Sequence, residues 1–168
     1  MKKIRYIIVL LFLCVNAVLA QNIAFVDIQK IMNTSIKGKK LKNEIQDKVK
    51  FYQNKLNELD NRISEIEKQL ASPVLSEEAK EKKKKELAEL KAEGTKIQME
   101  AEEELAKMKA KAERELILEI KRITESYAKK KNIDLVFIGG TIGGVVYHDK
   151  TIDITDEILK LFDQEQKN

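Results

Sequence analysis

Between Leu41 and Tyr127 the chain is built mostly of Lys, Glu, Ala, Leu, Ile and Gln, with a single proline and a single glycine. A stretch like this can bury only a narrow apolar stripe, so it must fold as long helices packed along a seam. The first half shows the stripe at Ile45, Val49, Tyr52, Leu56, Leu59, Ile63, Ile66 and Leu70. From Val49 onward the steps alternate between three and four residues, the spacing of a coiled coil. Pro73 then interrupts the pattern inside Ala71–Ser76. It lacks the amide hydrogen that a helix interior needs, so it marks the end of one helix. Ser76 is placed to cap the next, with Glu77 and Glu78 in the first turn, where the helix dipole favours anions. The seam resumes at Leu87, Leu90 and Ile97. These features predict a long antiparallel hairpin over residues 39–127 with its tip near 71–76. Levelled about Pro73, the hairpin places Leu59 across from Lys85. It also places Gly94 opposite Gln53 and beside Tyr52, either as room for a large neighbour or as a point of bending.

The return strip then changes period. Ala101, Leu105, Met108, Ala112, Leu116, Ile120, Ile123 and Tyr127 carry pairs eleven residues apart. An eleven-residue repeat relaxes or reverses the left-handed supercoil. Small Ala101 and Ala112 are expected to let the helices approach while burying little.

The two ends of the chain read differently. Lys2, Lys3 and Arg5 precede an apolar run from Tyr6 to Ala20, and Val18-Leu19-Ala20 stands before Gln21. This is the pattern of a cleaved secretory signal peptide over residues 1–20, too short for a span of about 20 apolar residues. Its removal takes three of the 32 basic residues and none of the 28 acidic ones, leaving 29 against 28. Near-neutral charge gives no ground for nucleic-acid binding, and it argues against charge-driven capture of acidic membranes or lipopolysaccharide. Cys14, the only cysteine, is removed as well. The mature chain then has no disulfide, thiolate metal site or cysteine nucleophile. His148 is the sole histidine and reads as a surface or turn residue. Arm carboxylates have lysines at helical spacing, such as Glu44 with Lys48 and Glu103 with Lys107, and read as solvated pairs. Lys82–Lys85, flanked by Glu81 and Glu86, reads the same way. No catalytic set, metal or cofactor is expected, and so no enzyme.

Residues 21–38 and 128–168 compose a small body. Asn22–Asp27, Ile133–Ile138 and Val145–His148 have strand composition. Gly139–Gly144 reads as a hairpin connection, because a strand and not a helix follows it, unlike a phosphate-cradling loop. A weak helical pattern over Ile28–Ile36 breaks near Asn33–Gly38, before a long helix from about Lys39. Thr155 is placed to cap a last helix with Ile158, Leu161 and Phe162 on its buried face, and Ile154 with Leu159 as a hydrophobic staple. Ile23, Phe25, Val26, Leu135, Val136, Phe137 and Val146 are too apolar for a small sheet standing alone, so the body is expected to be shared between chains. The fold class is α+β.

Three segments carry a resemblance: Ile23-Ala24-Phe25-Val26-Asp27, Ile133-Asp134-Leu135-Val136, and Asp153-Ile154-Thr155-Asp156-Glu157-Ile158-Leu159-Lys160. In this order around an uninterrupted helical hairpin, the chain resembles the Skp/OmpH family of periplasmic chaperones. The resemblance implies a homotrimer in which a β-barrel body from three chains carries three helical arms around a cavity. It implies ATP-independent binding of unfolded outer-membrane proteins there, in the periplasm. The chain differs from the family pattern in its near-neutral charge and its glycine-rich stretch at 139–144. Aliphatic and aromatic arm residues expected to meet a client are Ile36, Leu41, Phe51, Leu105, Met108, Leu116 and Leu118. No aromatic lies between Gln53 and Ser126, which suits many weak contacts better than one tight interface. The competing reading is a coiled-coil spacer or adaptor of the envelope, which should show continuous heptads.

Overall fold

The computed structural model describes residues 22–140 and 144–166. The expected signal peptide, and residues 141–143 of the glycine-rich stretch, lie outside them.

Strand β1, Ile23–Asp27, runs straight into α1, Ile28–Thr34. The Asp27 carboxylate accepts from the Lys30 amide at 2.8 Å and caps α1. Ser35 separates α1 from α2, Ile36–Leu70. Its hydroxyl accepts from the Gly38 amide at 3.1 Å, and Asp163 accepts from the Ile36 amide at 2.8 Å. The long helix therefore begins at Ile36, a turn earlier than the sequence suggests. Gly38 does not break it but makes the bend possible: a Cβ there would lie 1.8 Å from the Met32 carbonyl oxygen.

The tip spans Ala71–Ser76, and α3 follows unbroken from Glu77–Lys131. Ser76 caps it, accepting from the Ala79 amide at 3.3 Å. Lysines 129–131 fill its last turn, and Asn132 closes it in the left-handed conformation, φ 53°. The 35 and 55 residues of α2 and α3 correspond to about 52 and 82 Å of helix. The extra length of α3 carries it past the root of α2 and into the body.

The hairpin is not level about Pro73. Gly94 lies against Leu59, whose Cδ2 would stand 3.1 Å from a Cβ at that position. Lys91 reaches Glu67 at 3.0 Å, and Tyr52 meets Glu104 at 2.5 Å. Leu59 therefore faces Gly94 and not Lys85. The apolar residues set this register. The return seam starts only at Leu87, about three turns into α3, so the first turns run beside the tip. Gly94 makes room for a leucine within a continuous helix.

After Asn132 comes β2, Leu135–Gly139, which pairs parallel with β1 in the register Ile23↔Leu135 to Asp27↔Gly139. The other side of β1 is taken by the segment before the last helix: Phe25 bridges Asp153, and the Ile154 amide donates to the Phe25 carbonyl at 2.9 Å. The strand expected over Val145–His148 does not form. One edge of β1 is held by β2 and the other by Asp153–Ile154, which leaves no edge of β1 for it. A short 3₁₀ turn, Lys150–Ile152, leads to α4, Thr155–Glu165. Thr155 is the first residue of α4 and not its cap. Asp153 accepts from its amide, while its hydroxyl accepts from the Asp27 amide, both at 2.9 Å.

Two separate apolar cores result. The body core joins Val26, Ile28 and Ile31 to Leu116, Ile120 and Ile123 of α3 and to Ile158 and Phe162 of α4. Ile154, Leu159 and Leu161 pack against it. The arm core is the heptad stripe Tyr52, Leu59 and Ile66 against Leu90, Ile97 and Ala101. Phe162 is completely buried, so Phe162→Ala should cost about 3–5 kcal/mol of stability in urea unfolding. Leu118→Ala, at a position 56% exposed, should change it by no more than about 0.5 kcal/mol.

Candidate functional site

Two surfaces stand out. The first is the outer edge of β2. In a parallel pair each strand satisfies half its backbone groups on the side of its neighbour. Among the described residues β2 has β1 on one side only. Apolar side chains flank that edge: Leu135, Phe137 and Ile138 are 47%, 45% and 50% exposed. Val146 and Tyr147, in the irregular segment that follows, are exposed as well. An apolar edge of this kind is a template for pairing with another chain.

The body residues singled out in the sequence thus fall into two sets. Phe25, Val26, Ile158 and Phe162 are buried in the protomer, with Ile23, Val136 and Leu161 half-buried beside them. Leu135, Phe137 and Val146 face outward. Ile138, on the face of Val136, and Tyr147 are exposed as well and were not singled out. The alternation along β2 was visible, but which face the core would cover was not. His148 is not a free turn residue. Its ring stacks on Phe25 with centroids 3.6 Å apart and 18° between planes. The opposite requirement falls on Gly139, where a Cβ would come 1.9 Å from the Phe25 ring.

The second surface is the arm. Leu90 and Ile97 lead, seven residues on, to Glu104, which takes a seam position with a carboxylate. Two partners satisfy it from α2. The Tyr52 hydroxyl donates at 2.5 Å and the Lys48 ammonium approaches to 2.9 Å. The hydrogen bond from Tyr52, and then Lys48, hold the Glu104 carboxyl below its usual range. The same hydrogen bond pushes the Tyr52 phenol up to about 12. Beside this cluster Phe51 is half-exposed, with the ammonium groups of Lys48 and Lys55 at 5.3 and 5.2 Å from its ring centroid.

Of the arm residues expected to meet a client, Ile36, Phe51 and Leu118 are exposed, and Leu41, Leu105 and Met108 are half-buried. Leu116 is not available. It is 4% exposed in the body core, because α3 turns this position towards α1 and α4. Val49, read as a seam residue, is 44% exposed. Met99 and Ile117 are also exposed and were missed, since neither fits a periodic stripe.

A family model described as "Outer membrane protein (OmpH-like)" matches residues 22–162. An uncharacterized protein of Aquifex aeolicus (strain VF5) is 36% identical over 141 residues, covering 84% of this chain and 85% of that one. Among solved structures, an OmpH-like protein of Caulobacter crescentus CB15, described as an outer membrane chaperone, superposes with a TM-score of 0.72. That match covers 86% of this chain and 85% of the other at 15% identity, so it speaks to the fold alone.

The Tyr52–Glu104 bond can be read directly. Both shifts stabilise the folded arm. Glu104, held below its ordinary value, contributes above that value, and the contribution is lost as pH falls through the lowered one. Tyr52, raised, contributes below the ordinary phenol value, and the contribution is lost as pH rises through about 12. Absorbance titration of tyrosinate should show one phenol ionising near pH 12, and Glu104→Gln should move that step down towards the ordinary value of about 10.

Proposed function

This chain belongs to the OmpH-like outer membrane protein family, and on that premise we propose that it is an ATP-independent periplasmic holdase for unfolded outer-membrane proteins. The family supports a chaperone role and is of a non-enzymatic kind. The observation that carries the finer reading is the open apolar edge of β2 at the root of two helices 35 and 55 residues long. A chain built this way needs copies of itself to cover the body and projects a long polar-faced arm from it. Three copies would cover those edges and stand three arms around a cavity.

Clients would meet the arms through Ile36, Phe51 and Leu118, with Leu41, Leu105 and Met108 partly accessible. Contacts of this size are weak one at a time and hold a chain through their number. They release it when the client's own folding buries the same groups. A spacer needs a continuous seam, whereas this seam stops at Glu104 and Val49. Among the described residues no helix is long and apolar enough to cross a membrane.

Light scattering of a urea-diluted outer-membrane protein should be suppressed by the intact protein. A variant with the exposed Ile36, Phe51 and Leu118 all replaced by Ser should remain a folded oligomer and suppress far less. Loss of the oligomer in that variant would place assembly in the arm and refute the division of labour. Because the mature charge is 29 against 28, client affinity should change by less than about tenfold between low and moderate salt. Phe137→Asp, on the exposed edge, should lower the mass in solution to that of a monomer while the helical signal of the arm persists.

A further inference from the structure

Body-side of the Tyr52–Glu104 bond, α2 and α3 stop meshing. Val49 is exposed, Ile45 and Ala112 are only half-buried, and a groove of about 390 Å³ opens between the helices with α1 across its end. Its floor is apolar: Met32, Leu41, Ile45, Val49 and Ala112. Ala112 leaves the space because it stands where the seam elsewhere carries leucine or isoleucine. Met32 brings a flexible, polarisable side chain that adapts to varied neighbours.

The rim has a different chemistry. Gln29, Asn33 and Gln46 line it, and among the described residues none of their amides has a hydrogen-bond partner. Each amide can both donate and accept, as a peptide group requires. Lys42 and Lys109 also line the groove, and neither is in an ion pair among the described residues. Glu113 is the one carboxylate on the rim. Elsewhere on the arm many lysines are matched, such as Lys48 with Glu104 and Lys107 with Glu103.

We propose that this groove seats one bulky apolar side chain of an extended, unfolded polypeptide segment. The rim amides pair with the segment's main chain, and Lys42 and Lys109 favour acidic residues on either side of the seated one. The proposal rests on the chaperone reading and gives it a defined contact point. Main-chain pairing by amides is indifferent to sequence, while the apolar floor requires a side chain to bury. Together they fit a segment that has not folded, since folded proteins have already satisfied both needs.

The test uses the assembled mature protein and a labelled peptide with a central Phe flanked by Asp and Ser. Companion peptides carry Ala for the Phe, or Lys for the Asp. The Phe peptide should bind about tenfold or more tightly than the Ala peptide, the value of one buried aromatic side chain. The Asp-flanked peptide should exceed the Lys-flanked one by about threefold, as exposed charge pairs allow. Ala112→Leu, which fills the floor, should abolish the Phe preference with unchanged mass and helix content. Lys42→Glu with Lys109→Glu, both surface changes, should reverse the flank preference. Peptide affinities indifferent to both sets of variants overturn the proposal. So does a change of mass in Ala112→Leu, which would make the groove a contact between copies. Aggregation suppression measured on the same samples separates the two levels. If it persists while the peptides are indifferent, only the groove falls. If wild type suppresses nothing, the chaperone reading falls and the groove with it.

Discussion

Five residues of parallel pairing between β1 and β2 hold the molecule in its shape. Parallel neighbours cannot be joined by a tight turn and need a crossover. Here the crossover is the whole arm, so Ile23 meets Leu135 only because α2 and α3 go out and come back. The cost of closing so long a loop rises slowly with its length. A hairpin that zips along its own seam delivers the two strands to the same place. Asn22 and Asp134 fasten that junction with amide and carboxylate bonds of 2.8 and 3.0 Å. The last helix then closes the second side of β1, and Phe162 and Ile158 complete a core that no single element could form.

The arm follows from the same economy of apolar residues. Heptads at Tyr52, Leu59 and Ile66 face heptads at Leu90 and Ile97, and the next step of the second series is Glu104. A polar residue at a seam position fixes register at some cost in stability. Tyr52 and Lys48 satisfy it, so the cost is limited, and the cluster holds the register that the apolar seam sets. Beyond it the seam carries Ala112 opposite the half-buried Ile45, and the helices are joined again only in the body core. The opening between the two cores follows from the sequence of small and polar residues along α3.

Much of this was legible in the sequence. The hairpin, its tip at Ala71–Ser76, the cap at Ser76 and the apolar body segments followed from periodicity, proline and composition. The register did not, because levelling the arms about Pro73 ignored where the return seam begins. Leu87, and not the turn, decides what faces Leu59. Glu104 was hidden for a related reason: a carboxylate at heptad spacing looks like surface until its partner Tyr52 is seen across from it. The missing third strand and the burial of Leu116 both depend on the placing of α4, which local pattern does not reveal. His148 could not be placed on Phe25, because the segment that carries it has no periodic pattern to tie it to β1.

One chain satisfies its core but not the outer edge of β2, where Leu135, Phe137 and Ile138 stay exposed. Amide hydrogen exchange over Leu135–Gly139, followed across a dilution series, tests this most directly. The account predicts that the outward amides of β2 are protected when the protein is concentrated and lose protection on dilution below the assembly concentration. The amides of Ile120 and Ile123, inside the protomer's own core, should stay protected throughout. Outward β2 amides that exchange freely at every concentration would contradict it, since the edge would then have no partner to complete it.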